Sequence, residues 1–182
     1  MNRKIFAVLI AMALAIAAFA GMNNPVVGGQ EMYPTKNIIE NAVNSADHTT
    51  LVAAVKAAGL VETLEGVGPF TVFAPTNEAF NKLPAGTVET LLKPENKATL
   101  SKVLTYHVVA GRFSAQDLMK MIKEGNGKAE LTTVEGGKLW AMQNGKTIVL
   151  KDEKGDTATV TIANVFQSNG VIHVIDAVVM PN

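Results

Sequence analysis

Hydrophobic and polar positions along the chain change period near residue 129. Before it, apolar residues recur at three- and four-residue steps, the spacing of one helix face. Ile38, Ile39, Ala42 and Val43 follow Asn37, and Leu51, Val52, Val55 and Ala58 follow Asp47, which is placed to cap them. Gly59 ends that helix, and Leu60, Val61 and Leu64 fit a short one stopping at Gly66. A short helix is expected over 87–92, and Pro94 opens a longer one with Leu100, Val103 and Leu104 inward. Ser114 and Asp117 form a capping-box pair ahead of Leu118, Met121 and Ile122. From Ala129 the pattern alternates. It predicts strands over 129–135, 138–143, 146–151 and 156–163, joined at Gly136-Gly137, at Asn144-Gly145 and by a loop over 151–155. This is an antiparallel meander. Helices first and strands last make the fold α+β.

Three stretches break this division. Phe70, Val72 and Ala74 alternate with Thr71 and Phe73, and Pro75 closes that strand before Thr76 caps a helix beginning at Asn77-Glu78. Residues 106–109 read as a short strand ended by Gly111. At the far end, Asn169-Gly170 suggests a tight turn, because both residues tolerate positive φ. The run after it places Val171, His173 and Ile175 on one face and Ile172, Val174 and Asp176 on the other. Both faces are mostly apolar, which predicts a strand covered on both sides in the centre of the fold.

These stretches carry a resemblance. Residues 68–80, the Tyr106-His107 motif and residues 169–181 resemble, in order and rough spacing, the two signature boxes and the tyrosine-histidine motif of the fasciclin-like domain family. The resemblance covers about residues 35–181. It implies a compact wedge of about seven strands in two sheets, with helices along one side and the two boxes as neighbouring core strands. It also implies that Thr76, Asn77, Tyr106, His107, Asn169, Gly170, His173 and Asp176 are mainly structural, forming an internal hydrogen-bond network in which His107 ties the boxes together. The implied function is non-enzymatic adhesion to cell-surface or extracellular-matrix partners, whether protein or polysaccharide. Vertebrate integrin-binding members carry Asp-Ile just before the second box. Asn164-Val165 stands here, so the acidic residue that would meet a receptor metal ion is missing and integrin-type binding is not implied.

Composition places the protein. Of 182 residues, 48% are hydrophobic and 18% charged, a globular balance. Residues 1–20 read as a signal peptide: a basic start with Arg3 and Lys4, an apolar run over 5–19, and Ala18-Phe19-Ala20 for cleavage. Residues 21–34 read as a flexible leader and 35–182 as the domain. Export to the periplasm or beyond, with no stable membrane anchor after cleavage, follows. Lys and Arg together equal Asp and Glu at 16 each, and cleavage removes only bases, so no positive surplus suits nucleic acid. Cysteine is absent, which excludes disulfides and thiol chemistry.

Candidate chemistry is sparse. His48 lies in a capping turn and is expected to be exposed. His107 and His173 lie in apolar strands, where Tyr106, Asn77, Thr76 and Asp176 are candidate partners. No metal-binding spacing, nucleophile elbow, phosphate loop or dinucleotide fingerprint is present, and His173 and Asp176 fall on opposite strand faces. The expectation is no enzyme, no metal and no cofactor. Trp140 shares a strand face with Lys138 and Met142 and is the candidate partner anchor. One copy of the domain makes avidity depend on weak self-association or an anchored partner. The alternative function is a periplasmic binder of a small molecule or polysaccharide fragment, which needs a pocket between helices and sheet.

Overall fold

The computed structural model describes residues 24–182, so the signal-peptide expectation lies outside the described residues. Two short strands, β1 (Val26–Val27) and β2 (Gln30–Glu31), precede the helices α1 (Ile38–Ala42), α2 (Thr49–Ala58) and α3 (Val61–Glu65). Then come β3 (Phe70–Pro75), α4 (Asn77–Asn81), α5 (Thr87–Leu91), α6 (Lys97–Tyr106), β4 (Val108–Ala110) and α7 (Ala115–Glu124). The meander follows as β5 (Lys128–Thr132), β6 (Lys138–Asn144), β7 (Thr147–Lys151) and β8 (Thr157–Gln167), and β9 (Gly170–Ile175) closes the sheet.

The large sheet has seven strands in the order β4-β3-β9-β8-β7-β6-β5. The two signature boxes are neighbours: β9 pairs parallel with β3, from Phe70↔Gly170 to Pro75↔Ile175. The remaining pairings are antiparallel. The two expected sheets share β8, which pairs with β7 through Thr157 to Thr159 and with β9 from Val160 onward. Register shifts between Val160 and Val165, with Asn164 at φ 60°, bend β8 at this corner. A bridge between Val109 and Thr133 links β4 to the chain just beyond β5, bringing the sheet close to closure.

Two apolar cores lie on opposite faces of β3 and β9. Ile38, Leu51, Val55, Leu100 and Val103 from the helices pack with Val72, Ala74, Ile172 and Val174. Leu118 and Ile122 of α7 pack with Leu139 and Leu150 of the meander, and with Phe73, Tyr106 and Ile175. Each central strand therefore feeds alternate side chains to both cores, which is why both faces of the last run are apolar.

Several local expectations are corrected. Residues 21–34 read as a flexible leader, but within the described part of it β1 and β2 form a hairpin whose Gly28 and Gly29 have φ 58° and 77°, the type I′ signature. Its Val27 and the following Met32 are buried. Val43 is exposed, because α1 stops at Ala42 and its inward positions are Ile38, Ile39 and Asn41. Tyr106 is the last residue of α6 rather than a strand residue, His107 is its C-cap, and the strand begins at Val108. Neither Asn169 nor Gly170 has positive φ. Gly170 is required instead by close approach, since a Cβ there would overlap the Phe70 carbonyl oxygen on β3.

Gly170→Ala is therefore expected to destabilise the fold by about 2–3 kcal/mol, because backbone on a central strand must move to relieve the overlap. Urea denaturation of the two chains at neutral pH checks it.

Candidate functional site

The motif residues sit where helix ends meet the central strands. Thr76 caps α4 by accepting from Ala79 N (3.2 Å), while its own N–H donates to Ile175 O (3.3 Å), so the strand-to-helix corner is fastened to β9. Asn77 reaches across to α2. Its side-chain oxygen accepts from Thr50 N (3.0 Å) and Thr49 Oγ1 (3.1 Å), and its amide donates to Ala46 O (2.9 Å). Asp47 was expected to cap α2; that helix begins after a 3₁₀ turn over Ala46–His48, and Asn77 supplies the acceptor. Asn169, almost fully buried, accepts from Ile38 N (3.0 Å) at the start of α1 and donates to Leu64 O (2.7 Å) and Gly66 O (2.8 Å) at the end of α3. One amide thus satisfies groups that two helix termini leave unpaired.

Both motif histidines are buried and held by backbone groups. His107 Nδ1 donates to Val103 O (2.8 Å) and its Nε2 accepts from Val179 N (3.2 Å). Its own carbonyl accepts from Phe73 N (2.9 Å). The residue links the first box to the segment just after β9. His173 Nε2 donates to Phe113 O (2.8 Å), its Nδ1 accepts from Asn164 N (3.3 Å), and its ring stacks on Phe73 with centroids 5.8 Å apart. Each ring thus has one donor and one acceptor nitrogen engaged, the pattern of a neutral imidazole. The expected partners Tyr106, Asn77, Thr76 and Asp176 bond elsewhere. The Tyr106 hydroxyl donates to Lys138 O and accepts from Glu153 N (3.2 Å), and burial pushes its pKa up to about 12. Asp176 accepts from Thr159 N (2.7 Å) and faces Lys82 in an exposed ion pair at 3.9 Å. His48, expected to be exposed, is buried, with Nδ1 2.9 Å from Ser45 Oγ and Nε2 3.4 Å from Ala74 O. Burial holds all three imidazoles below their ordinary pKa, His107 at about 4.

Position 164 also has an internal task. The Asn164 side-chain oxygen accepts from Ala115 N (2.7 Å) at the first turn of α7, and its amide donates to Gln116 Oε1 (3.1 Å). Sequence reasoning missed a second set of polar contacts. Asn41 pairs with Gln167, and the Arg112 guanidinium caps the carbonyls of Gln167 and Gly170. Asp152 accepts from Lys154, Asp156 and Met180 backbone N–H groups. The Asp-x-x-Gly loop over 152–155 carried a turn signal for Asp152; Asn41, on a helix expected to bury only apolar residues, carried none. Among the described residues no buried side-chain nitrogen or oxygen lacks a partner.

The candidate partner anchor lies on the outer face of the meander. Lys138, Trp140 and Met142 share it, as the alternation predicted, while Leu139 and Ala141 point inward. Trp140 is half-buried, opposite Glu130 on one neighbour strand and Lys151 on the other, and Met142 faces Val149. Lys128 Nζ lies 4.6 Å from the Trp140 ring centroid, a cation–π contact. Lys138 meets Glu130 at 2.9 Å and holds its carboxyl below the usual range. The other polar-tipped rings lie apart from this face, Tyr33 beside Lys36 and Tyr106 in the core.

Residues 46–181 match the model of the Fasciclin domain family. Protein sll1483 of Synechocystis sp. is 51% identical over 145 residues, 79% of this chain and 73% of that protein. Cell surface glycolipoprotein MPB83 of Mycobacterium bovis is 34% identical over 170 residues, 91% of this chain and 70% of that protein. Among solved structures, the FAS1 domain pair from the insect cell adhesion molecule fasciclin I superposes with a TM-score of 0.69 at 19% identity, over 78% of this chain and 50% of that one.

The three buried histidines predict loss of stability in acid. The unfolded chain takes up protons near pH 6.5 and the folded chain does so only at lower pH, so stability is full above 6.5 and falls as pH drops. For His107, with a folded pKa of about 4, the loss approaches about 3 kcal/mol by pH 4. Urea unfolding between pH 7 and 4 should show this decline, and it should be shallower in a folded His107→Gln chain.

Proposed function

The chain belongs to the fasciclin domain family, and we propose that it is an exported, non-enzymatic adhesion or interaction module that binds a cell-surface or extracellular-matrix partner. Two relatives support the setting: fasciclin I is a cell adhesion molecule and MPB83 is a cell-surface glycolipoprotein. No helix among the described residues is long and apolar enough to cross a membrane. The non-catalytic reading rests on the motif residues themselves. His107 and His173 each have both ring nitrogens engaged by backbone groups, so neither imidazole is free to act as a base on a substrate.

The observation that carries the binding role is the outer meander face. It joins a half-buried tryptophan to Met142 and Val149 and surrounds them with Lys128, Glu130, Lys138 and Lys151. An aromatic anchor within a charged rim is the make-up of an interaction hot spot, and it lies on rigid strands. The partner is a cell-surface protein or polysaccharide. Binding through a single copy is weak and gains strength from multivalent display or self-association. Integrin-type recognition through position 164 is not part of the proposal, because Asn164 is neutral and already holds the first turn of α7.

Immobilised residues 21–182, displayed multivalently, are expected to capture a saturable partner from cell-envelope or matrix fractions. Trp140→Ala should reduce that capture at least tenfold while leaving the unfolding midpoint within a few degrees. A large stability loss with undiminished capture would remove Trp140 from the role, and no capture at high display would count against adhesion.

A further inference from the structure

Beyond the outer face, the molecule contains a second region with the make-up of a site. Between α1, α2, α3 and the helix-facing side of β3 and β9 lies a cavity of about 60 Å³. Its walls include Val27, Met32, Leu51, Val55, Val72 and Ile172. His48 and His107 also reach it, but their ring nitrogens are engaged with Ser45, Ala74, Val103 and Val179. Ser45, Lys56, Thr63 and Thr105 line it too, but almost all of the surface that faces the cavity is carbon, so it stays dry and offers little to a sugar hydroxyl, a carboxylate or a metal ion. The guest it suits is uncharged and apolar.

Size adds a second condition. An apolar cavity of about 150 Å³ admits benzene, so this one accepts only a few carbon atoms unless a wall moves. One wall is a separate piece of chain. Val27 and Met32 come from the hairpin of β1 and β2, whose ladder bonds are internal to it. The hairpin is joined to the helices beneath by the Ala46 N–Gly28 O bond (3.2 Å) and is held from behind by the Tyr33–Asn41 pair of bonds. The matched family domain begins at residue 46, so this wall comes from the chain that precedes it. Met32, with three rotatable bonds, can repack around a guest.

We propose that this cavity is a binding site for a small uncharged apolar molecule, a hydrocarbon chain end or a single ring, admitted when the 26–31 hairpin lifts. Gly28 is the latch. A Cβ there would come within 2.6 Å of Ala46 N and 2.7 Å of Asp47 N, and its φ of 58° disfavours any larger residue. Gly28→Val therefore loosens the wall without altering the cavity lining, and a larger open fraction raises apparent affinity in proportion.

The test uses residues 21–182 and benzene, a single uncharged ring, followed by methyl NMR. The expected result is saturable binding, about tenfold tighter in Gly28→Val. Val55→Phe and Ala42→Leu, which fill the cavity, should abolish it while the chains still unfold cooperatively. Benzene should shift the methyl signals of Val27, Met32 and Leu51 in the unaltered protein, which keeps the test independent of either filled variant folding. Trp140→Ala should leave probe binding unchanged, which separates this site from the adhesive face. Absence of saturable binding and of benzene shifts in both the unaltered and Gly28→Val chains overturns the proposal. So does binding that persists in a folded, filled variant.

Discussion

The fold depends on a parallel pair of strands brought together from distant parts of the chain. β3 and β9 lie side by side through six registered positions, and every other layer is placed against one face or the other of this pair. Parallel strands cannot be joined by a tight hairpin, so all the helices from α4 to α7 and the whole meander form the connection between them. Closing so long a loop is entropically costly. What offsets it is burial on both faces, reinforced by bonds from Asn169, His107 and Thr76 that tie helix ends to the strands at both ends of the pair. These bonds concentrate where helix termini leave backbone groups unpaired, which explains why the family's recognisable motifs are polar residues inside an apolar centre.

Most of the architecture was legible from periodicity. The helix-to-strand change at Ala129, the Asn144-Gly145 turn and the capping box of α7 concern neighbours in sequence, and local rules reach them. The two-sided burial of β9 was legible because a strand with two apolar faces has to be central. Residues whose partners are remote were harder to read. Asn77 resembles an ordinary first-turn residue until α2 is packed against it, and Gly170 resembles a turn glycine until the Phe70 carbonyl is seen beside it. Asn41 and Gln167 satisfy one another across a helix-to-sheet contact that no local pattern encodes. Gly28-Gly29 carries the same kind of turn signal as Gly136-Gly137, but the two-residue strands beside it show no alternation, so the segment reads as a leader.

The candidate site divides the same way. The motif histidines, the most reactive side chains in the sequence, have their nitrogens engaged inside the protein. Chemistry that looked available in the sequence is used to hold the chain together. In the proposed function, recognition falls to side chains on the outer surface, where strand alternation turns Lys138, Trp140 and Met142 outward and directs Leu139 and Ala141 into the core. A rigid sheet can present such a face because the internal polar network leaves the outer side chains out of the folding task.

The central place of β9 also bears on how the protein is made. A ribosome delivers β3 early and β9 last, and until residue 175 has emerged β3 lacks its parallel neighbour and β8 has only β7 beside it. Helices can form as they appear, but the sheet that organises them cannot be completed piecemeal. The nascent chain is therefore kept from settling into its final shape while synthesis proceeds, as the export proposed for it would require of a polypeptide threaded through a narrow channel.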